Sequence, residues 1–141
     1  MKTTDFRISE NFLLSEFTCQ NGSDFILTDI KAAICLTNLV NHILQPLRNA
    51  MGFGIEIHSG YRTIKHNSDV GGQDNSQHLF GEACDLDCKD IMKAFNWIAN
   101  NCIFDQLILE LSKKTGLKVI HVSFVTDRVN RQQIVNKWLI N

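Results

Sequence analysis

The stretch from Asp29 to Ala50 constrains the fold of this chain most. Ile30, Ala33, Ile34, Val40, Ile43, Leu44, Leu47 and Met51 recur at three- and four-residue steps, the spacing that predicts one apolar face of a helix. Thr28 is placed to cap its start. Pro46 is expected to kink it or to begin its last turn, and Gly52 and Gly54 to end it. With one proline and eight glycines in 141 residues, the chain has few other break points.

Beyond the helix the period changes. Gly54 to Ser59 alternates as a strand, Ile55 and Ile57 opposing Glu56 and His58. Gly60 to Gly81 is polar and glycine-rich and reads as one long loop. Ala83 to Asp87 reads as a strand, and Asp90 to Asn101 as a helix with Ile91, Phe95 and Ile98 on one side. Gln106 to Leu111 and Lys118 to Phe124 read as paired strands. Asn130 to Asn141 reads as a terminal helix anchored by Ile134, Val135 and Trp138, and the opening, Phe6 to Asp24, as irregular. Helices and strands mix without regular alternation. That order predicts an α+β fold, a small antiparallel sheet flanked by helices, with residues 1–141 as one domain.

Composition narrows the partners. The net charge is -1, so nothing marks a nucleic-acid or anionic-membrane surface. No apolar run approaches the roughly 18 residues of a membrane span. Met1 to Glu10 lacks the apolar block of a secretory signal. Synthesis in the cytoplasm is the expectation, with any action outside requiring release by another route. The five cysteines are odd in number and irregularly spaced, which predicts free thiols packed as small hydrophobes.

The informative run is Ser76-Gln77-His78-Leu79-Phe80-Gly81-Glu82-Ala83-Cys84-Asp85. His78 and Asp85 stand seven residues apart with Gly81 between them. A glycine turn there lets a loop histidine and a strand aspartate face one point. Imidazole and carboxylate are ordinary zinc ligands. His121, inside Ile120-His121-Val122-Ser123, supplies a third. Three protein ligands leave a position open for water, the pattern of a catalytic rather than a structural zinc.

Together, Ser59-Gly60-Tyr61-Arg62, Asn67, Gly71-Gly72, Ser76-x-His78-x-x-Gly81-x-Ala83-x-Asp85 and Ile120-His121-Val122-Ser123 resemble the zinc D-Ala-D-Ala carboxypeptidase family. That family includes the L-alanyl-D-glutamate endopeptidases of phages and has the hedgehog/DD-peptidase fold. Phe12-x-x-Ser15-Glu16-Phe17 resembles the opening of its phage-associated branch, and the likeness covers about residues 6 to 125. The resemblance implies a Zn2+-dependent peptidase acting on peptidoglycan stem peptides or crosslinks, either carboxypeptidase or endopeptidase. It implies His78, Asp85 and His121 as metal ligands and Arg62 in the substrate groove, where its planar fork suits a carboxylate or a developing oxyanion. Ser76 and Gln77, beside a ligand, are expected to hydrogen-bond substrate.

Several relatives carry an acid three residues before the final histidine; here Lys118 stands there. Glu110 is the expected general base, provided that the pairing of its strand with that of His121 puts both on one face. Lys118 also favours an alternative, a zinc-containing binding module without catalysis. Of the remaining residues, Tyr61 reads as packing, and His42 and His66 as solvated. His58 reads as near the site without being a ligand. Asp87, on the face of Asp85, orients a ligand histidine or is a solvated strand end. The expected setting is cell-wall lysis by a phage or prophage product, freed from the cytoplasm or carried in a phage particle. The expected form is a monomer with no nucleic-acid or membrane partner.

Overall fold

The computed structural model describes residues 7–18, 29–111 and 116–136. Strands β3 (Ile55–Ser59), β4 (Ala83–Cys88), β5 (Gln106–Leu111), β6 (Lys118–Ser123) and β7 (Gln133–Asn136) form one sheet in the order β3-β4-β6-β5-β7. Side chains alternate across a strand. Leu86, Leu107, Leu109, Ile120 and Val122 therefore share one face, each at most 1% exposed. They pack on Leu36, Leu39, Ile43, Leu47 and Ile98 of the helices. Each such side chain contributes about 2 kcal/mol by burial. The other face carries Asp85, Glu110 and His121 and is open to a cleft.

The long helix forms as α1 (Ile30–Leu39), a π-helical turn (Val40–Leu44) and α2 (Gln45–Met51). The wide turn lies just before Pro46, which has no N–H to donate and crowds the carbonyl four residues back. Thr28 lies outside the described residues. Asp29 caps the helix instead, its carboxylate accepting from the Ala32 N–H at 3.1 Å. Gly52 closes the helix at φ +75°. The buried stripe of the first turns is Ala32, Leu36 and Leu39, whereas Ile30 and Ile34 are 76% and 53% exposed. Two stripes fit the three-four spacing there, and the one continuous with Ile43 and Leu47 reaches the sheet.

β4, β6 and β5 pair antiparallel, as expected, in unbroken register. The sheet is nevertheless mixed, because β7 runs parallel to β5. Residues 133–136 are thus a strand rather than part of a terminal helix; Trp138 lies outside the described residues. The β-branched Ile134-Val135 pair suits an edge strand, and the Gln133 N–H donates to the Asp105 carbonyl at 3.0 Å, setting the chain beside β5. The region expected as one long loop contains α3 (Ile64–Asp69) and a 3-10 turn (Gln77–Phe80). Thr63 caps α3 through the His66 N–H, a signal that the glycines on either side obscured. The opening also has structure: β1 (Arg7–Ser9), β2 (Phe12–Leu13) and a 3-10 turn (Leu14–Phe17), held by buried Phe12 and Phe17. α4 (Ile91–Asn101) completes the helical layer. Cys35, Cys84, Cys88 and Cys102 are free thiols. Among the described residues, no helix is long and apolar enough to cross a membrane.

Candidate metal centre and its cleft

His78 reaches the cleft from the 3-10 turn, Asp85 from β4 and His121 from β6. Gly81, at φ +71°, turns the chain between the first two, and a side chain on it would collide with the Ala32 carbonyl of α1. In the strand register Asp85 lies directly opposite His121. The His78 Nε2 stands 3.4 Å, and the His121 Nδ1 3.1 Å, from the same oxygen, Asp85 Oδ1. The three donor atoms lie within 4.8 Å of one another.

The donor chemistry fits a cation. His78 Nδ1 sits 2.7 Å from the Gly60 carbonyl, a pure acceptor, so Nδ1 carries the proton. In the neutral ring that leaves the Nε2 lone pair facing a carboxylate oxygen, an arrangement a metal ion between them satisfies. Burial pushes the Asp85 carboxyl up, but its contacts with the His121 and His78 rings outweigh it and hold it well below the usual range. The aspartate is thereby kept ionised, the form that binds metal.

Gly60 was not singled out as part of this machinery from sequence. Its backbone holds His78, and a side chain on it would run into Phe17 of the opening segment. The adjacent Tyr61 N–H donates to the Phe17 carbonyl at 2.6 Å. The likeness of Phe12-x-x-Ser15-Glu16-Phe17 to a family opening thus acquires a local reason: Phe17 fixes the loop that fixes the histidine.

Arg62 lies beside the cluster, 14% exposed, with NH2 3.4 Å from Asp85 Oδ2. Its Nε donates to Ser59 Oγ at 3.0 Å and its NH1 to Asn67 Oδ1 at 3.3 Å. Asn67 is buried and in turn donates to the Gln73 carbonyl at 2.8 Å. Gly72 is needed there because any side chain would collide with the Asn67 amide. Ser76 Oγ accepts from the His78 N–H at 3.2 Å, so it caps the turn that carries the ligand. Gln77 lines the cleft. Its Nε2 donates to Asp105 at 2.9 Å, while its Oε1 is buried with no partner.

The condition on Glu110 is met. Ile108 pairs with His121 and Glu110 with Val119, in regular register, so Glu110 and His121 share the cleft face. Lys118, three residues from His121 on the same strand, falls on the opposite face. Glu82 also lines the cleft; burial first, then the Asp127 carboxylate, pushes its carboxyl up. Asp87 orients neither His78 nor His121: its nearest histidine is His58, at 3.8 Å. His42 stacks on Phe124 with ring centres 4.5 Å apart.

A second buried carboxylate was not anticipated. Asp105, wholly buried, accepts from Arg128 at 2.7 and 3.0 Å and from Arg131 at 2.7 Å, besides Gln77. Both arginines line the cleft. The sequence signal was weak, because the partners stand more than twenty residues from Asp105 with no shared spacing.

The peptidase M15 family profile matches residues 10–123. A zinc D-Ala-D-Ala carboxypeptidase of Streptomyces albus G is 38% identical over 79 residues, a stretch that is 54% of this chain and 31% of that relative. The matched stretch thus spans about a third of the relative's length.

Proposed function

Because the chain belongs to the peptidase M15 family, we propose that it is a zinc-dependent peptidase that hydrolyses peptide bonds in bacterial peptidoglycan. The convergence of His78 Nε2, His121 Nδ1 and Asp85 Oδ1 carries this reading. Neutral imidazoles and an ionised carboxylate are the donor set that zinc prefers, and three such ligands leave room for water and substrate. Zinc, when bound, supplies Lewis acidity and a water of pKa about 7. The relative's name, zinc D-Ala-D-Ala carboxypeptidase, supports both the metal and the substrate class.

The other roles belong to the chain's own groups. Glu110 takes the proton of the attacking water, from the wall it shares with His121. Arg62, held by Ser59 and Asn67, presents its guanidinium to a substrate carboxylate or to the oxyanion that develops on attack. Gln77, on the cleft wall beside His78, hydrogen-bonds substrate. Ser76 acts by holding the His78 turn. Lys118, the feature that favoured a binding module without catalysis, lies off the cleft face, which supports hydrolysis over that alternative. The setting proposed is lysis of the wall by a phage or prophage product; the Phe12-x-x-Ser15-Glu16-Phe17 opening supports it.

The test is incubation of zinc-loaded protein with purified peptidoglycan. New amino groups are followed and products identified by mass, beside His78→Ala. Release that depends on His78 is expected, with product masses naming a carboxypeptidase or endopeptidase bond. A folded, zinc-loaded protein that releases nothing from several wall chemistries would overturn the proposal.

A further inference from the structure

A second group of donors lies on the same sheet face. Glu56 and His58 come from β3 and Asp87 from β4, with one ligand atom of each within 4.8 Å of the others. Glu56 pairs with Asp87 in the strand register, so their side chains rise together. His58, two residues from Glu56 on β3, shares their face by alternation; an irregularity follows between Ile57 and Ser59, where β3 shifts register against β4. A shift of this kind re-aims a side chain. It brings Ser59 to the cleft wall beside His58.

Three features separate this group from an ordinary patch of surface acids. It includes an imidazole, a nitrogen donor that hard cations such as calcium and magnesium do not select. The His58 Nε2 is buried and makes no hydrogen bond, although buried ring nitrogens are normally satisfied. That nitrogen faces Asp87 Oδ2 at 3.8 Å, too far for a hydrogen bond but close to the 3.4 Å between His78 Nε2 and Asp85 Oδ1 in the first cluster. His58 and Asp87 are mostly buried, at 21% and 28% exposed, whereas Glu56 is exposed.

We infer that Glu56, His58 and Asp87 form a second site for a divalent transition-metal ion of the zinc class. It binds more weakly than the first, because it has one imidazole in place of two and an exposed glutamate that must be ordered. His58 lines the cleft, while Glu56 and Asp87 line a neighbouring depression. An ion held there adds positive charge to the wall between them. Asp87 is two residues from Asp85 on β4, so the two sites are separated by only about 7 Å along the strand. The inference does not depend on the activity proposed above, since its readout is metal binding alone.

The experiment is titration of the metal-free full chain with zinc, by calorimetry, and with cobalt(II), by visible absorption. Two equivalents are expected, tight and weak. His58→Ala and Asp87→Asn should each abolish the weak equivalent and keep the tight one; His78→Ala should do the reverse. In the wild-type chain, the weak step should shift the His58 ring nitrogen resonances, a signal available even if a variant fails to fold. A single equivalent in the wild type, a weak equivalent that survives both His58→Ala and Asp87→Asn, or unmoved His58 resonances would overturn the inference.

Discussion

Asp85 and Asp105 are both buried carboxylates held well below the usual range by cationic or hydrogen-bonding neighbours, yet they are built for opposite ends. Asp105 is enclosed by guanidinium groups at 2.7 to 3.2 Å, with the Arg131 N–H at 3.0 Å. Arginine is donor-only and keeps its proton, so every contact is complete and no lone pair is left over. Asp85 is surrounded more loosely, at 3.1 to 3.4 Å, by two imidazoles and the Arg62 guanidinium. Imidazole presents a lone pair, so this cluster is suited to close around a cation. A carboxylate among cationic and hydrogen-bonding neighbours thus locks the chain at Asp105 and leaves an open donor cluster at Asp85. Neighbour type and contact distance make the difference, rather than burial.

The largest effects should come from the open cluster. His78→Ala removes one of three donors and should reduce bound zinc at the tight site to background, measured by metal analysis after dialysis, with hydrolysis lost alongside. Zinc at a concentration that fills only the tight site should also stop protecting this variant against heat; a saturating ligand, at about 100 times its Kd, otherwise adds about 2.7 kcal/mol. A variant that kept both zinc and protection would place the metal elsewhere. Glu110→Gln should be next, lowering kcat by about 10²–10⁴-fold with zinc content unchanged. Glu82→Gln, on the same cleft, is the control. If Glu82→Gln abolished turnover and Glu110→Gln did not, the base would be reassigned.

The closed cluster should fail through stability. Asp105→Asn leaves Arg128 and Arg131 facing a neutral amide and should cost about 3 kcal/mol, the lower end for breaking a buried pair, because both arginine side chains keep about half their surface in water. Urea unfolding measures it. The Asp105 pKa is lowered on folding. Its contribution is therefore present above the unfolded carboxylate value of about 3.9 and lost as pH falls through the folded value. The gap between wild type and Asp105→Asn should be full at pH 7 and shrink below about pH 4. A gap that stayed constant with pH would mean that the ionised carboxylate is not what stabilises the fold.

The two clusters also differ in how far the sequence exposed them. His78, Gly81 and Asp85 are neighbours in the chain, and His121 interrupts an apolar strand, so residue chemistry and spacing brought the metal centre into view. Alternation likewise put Glu110 on the face of His121 once β5 and β6 paired. Asp105 could not be found in this way, since its partners arrive through the path of residues 124–132, which has no periodicity. The same gap explains β7. Ile134 and Val135 fit either period over so short a run, and the Asp105 grip on Arg131 and Gln133, with the Gln132 N–H donating to the Phe104 carbonyl, commits them to the edge of β5. The wide turn before Pro46 was legible as a disturbance of the helix but not in kind, because a kink and a π turn relieve the same missing hydrogen bond.

Gln77 touches both regions, and its replacement tests whether they act separately. Its Nε2 is one of several donors on Asp105, while its neighbour His78 belongs to the candidate metal centre. Gln77→Ala should cost about 1 kcal/mol of stability, near the mean for one hydrogen bond, since Asp105 keeps both arginines. If Gln77 also hydrogen-bonds substrate, KM should rise about fivefold, the equivalent of about 1 kcal/mol, with kcat and zinc content little changed. A drop in stability with KM unaltered would confine Gln77 to the Asp105 cluster. A rise in KM with stability unaltered would confine it to the cleft. Loss of zinc would show that the Asp105 cluster positions the His78 turn, so that the closed cluster supports the open one.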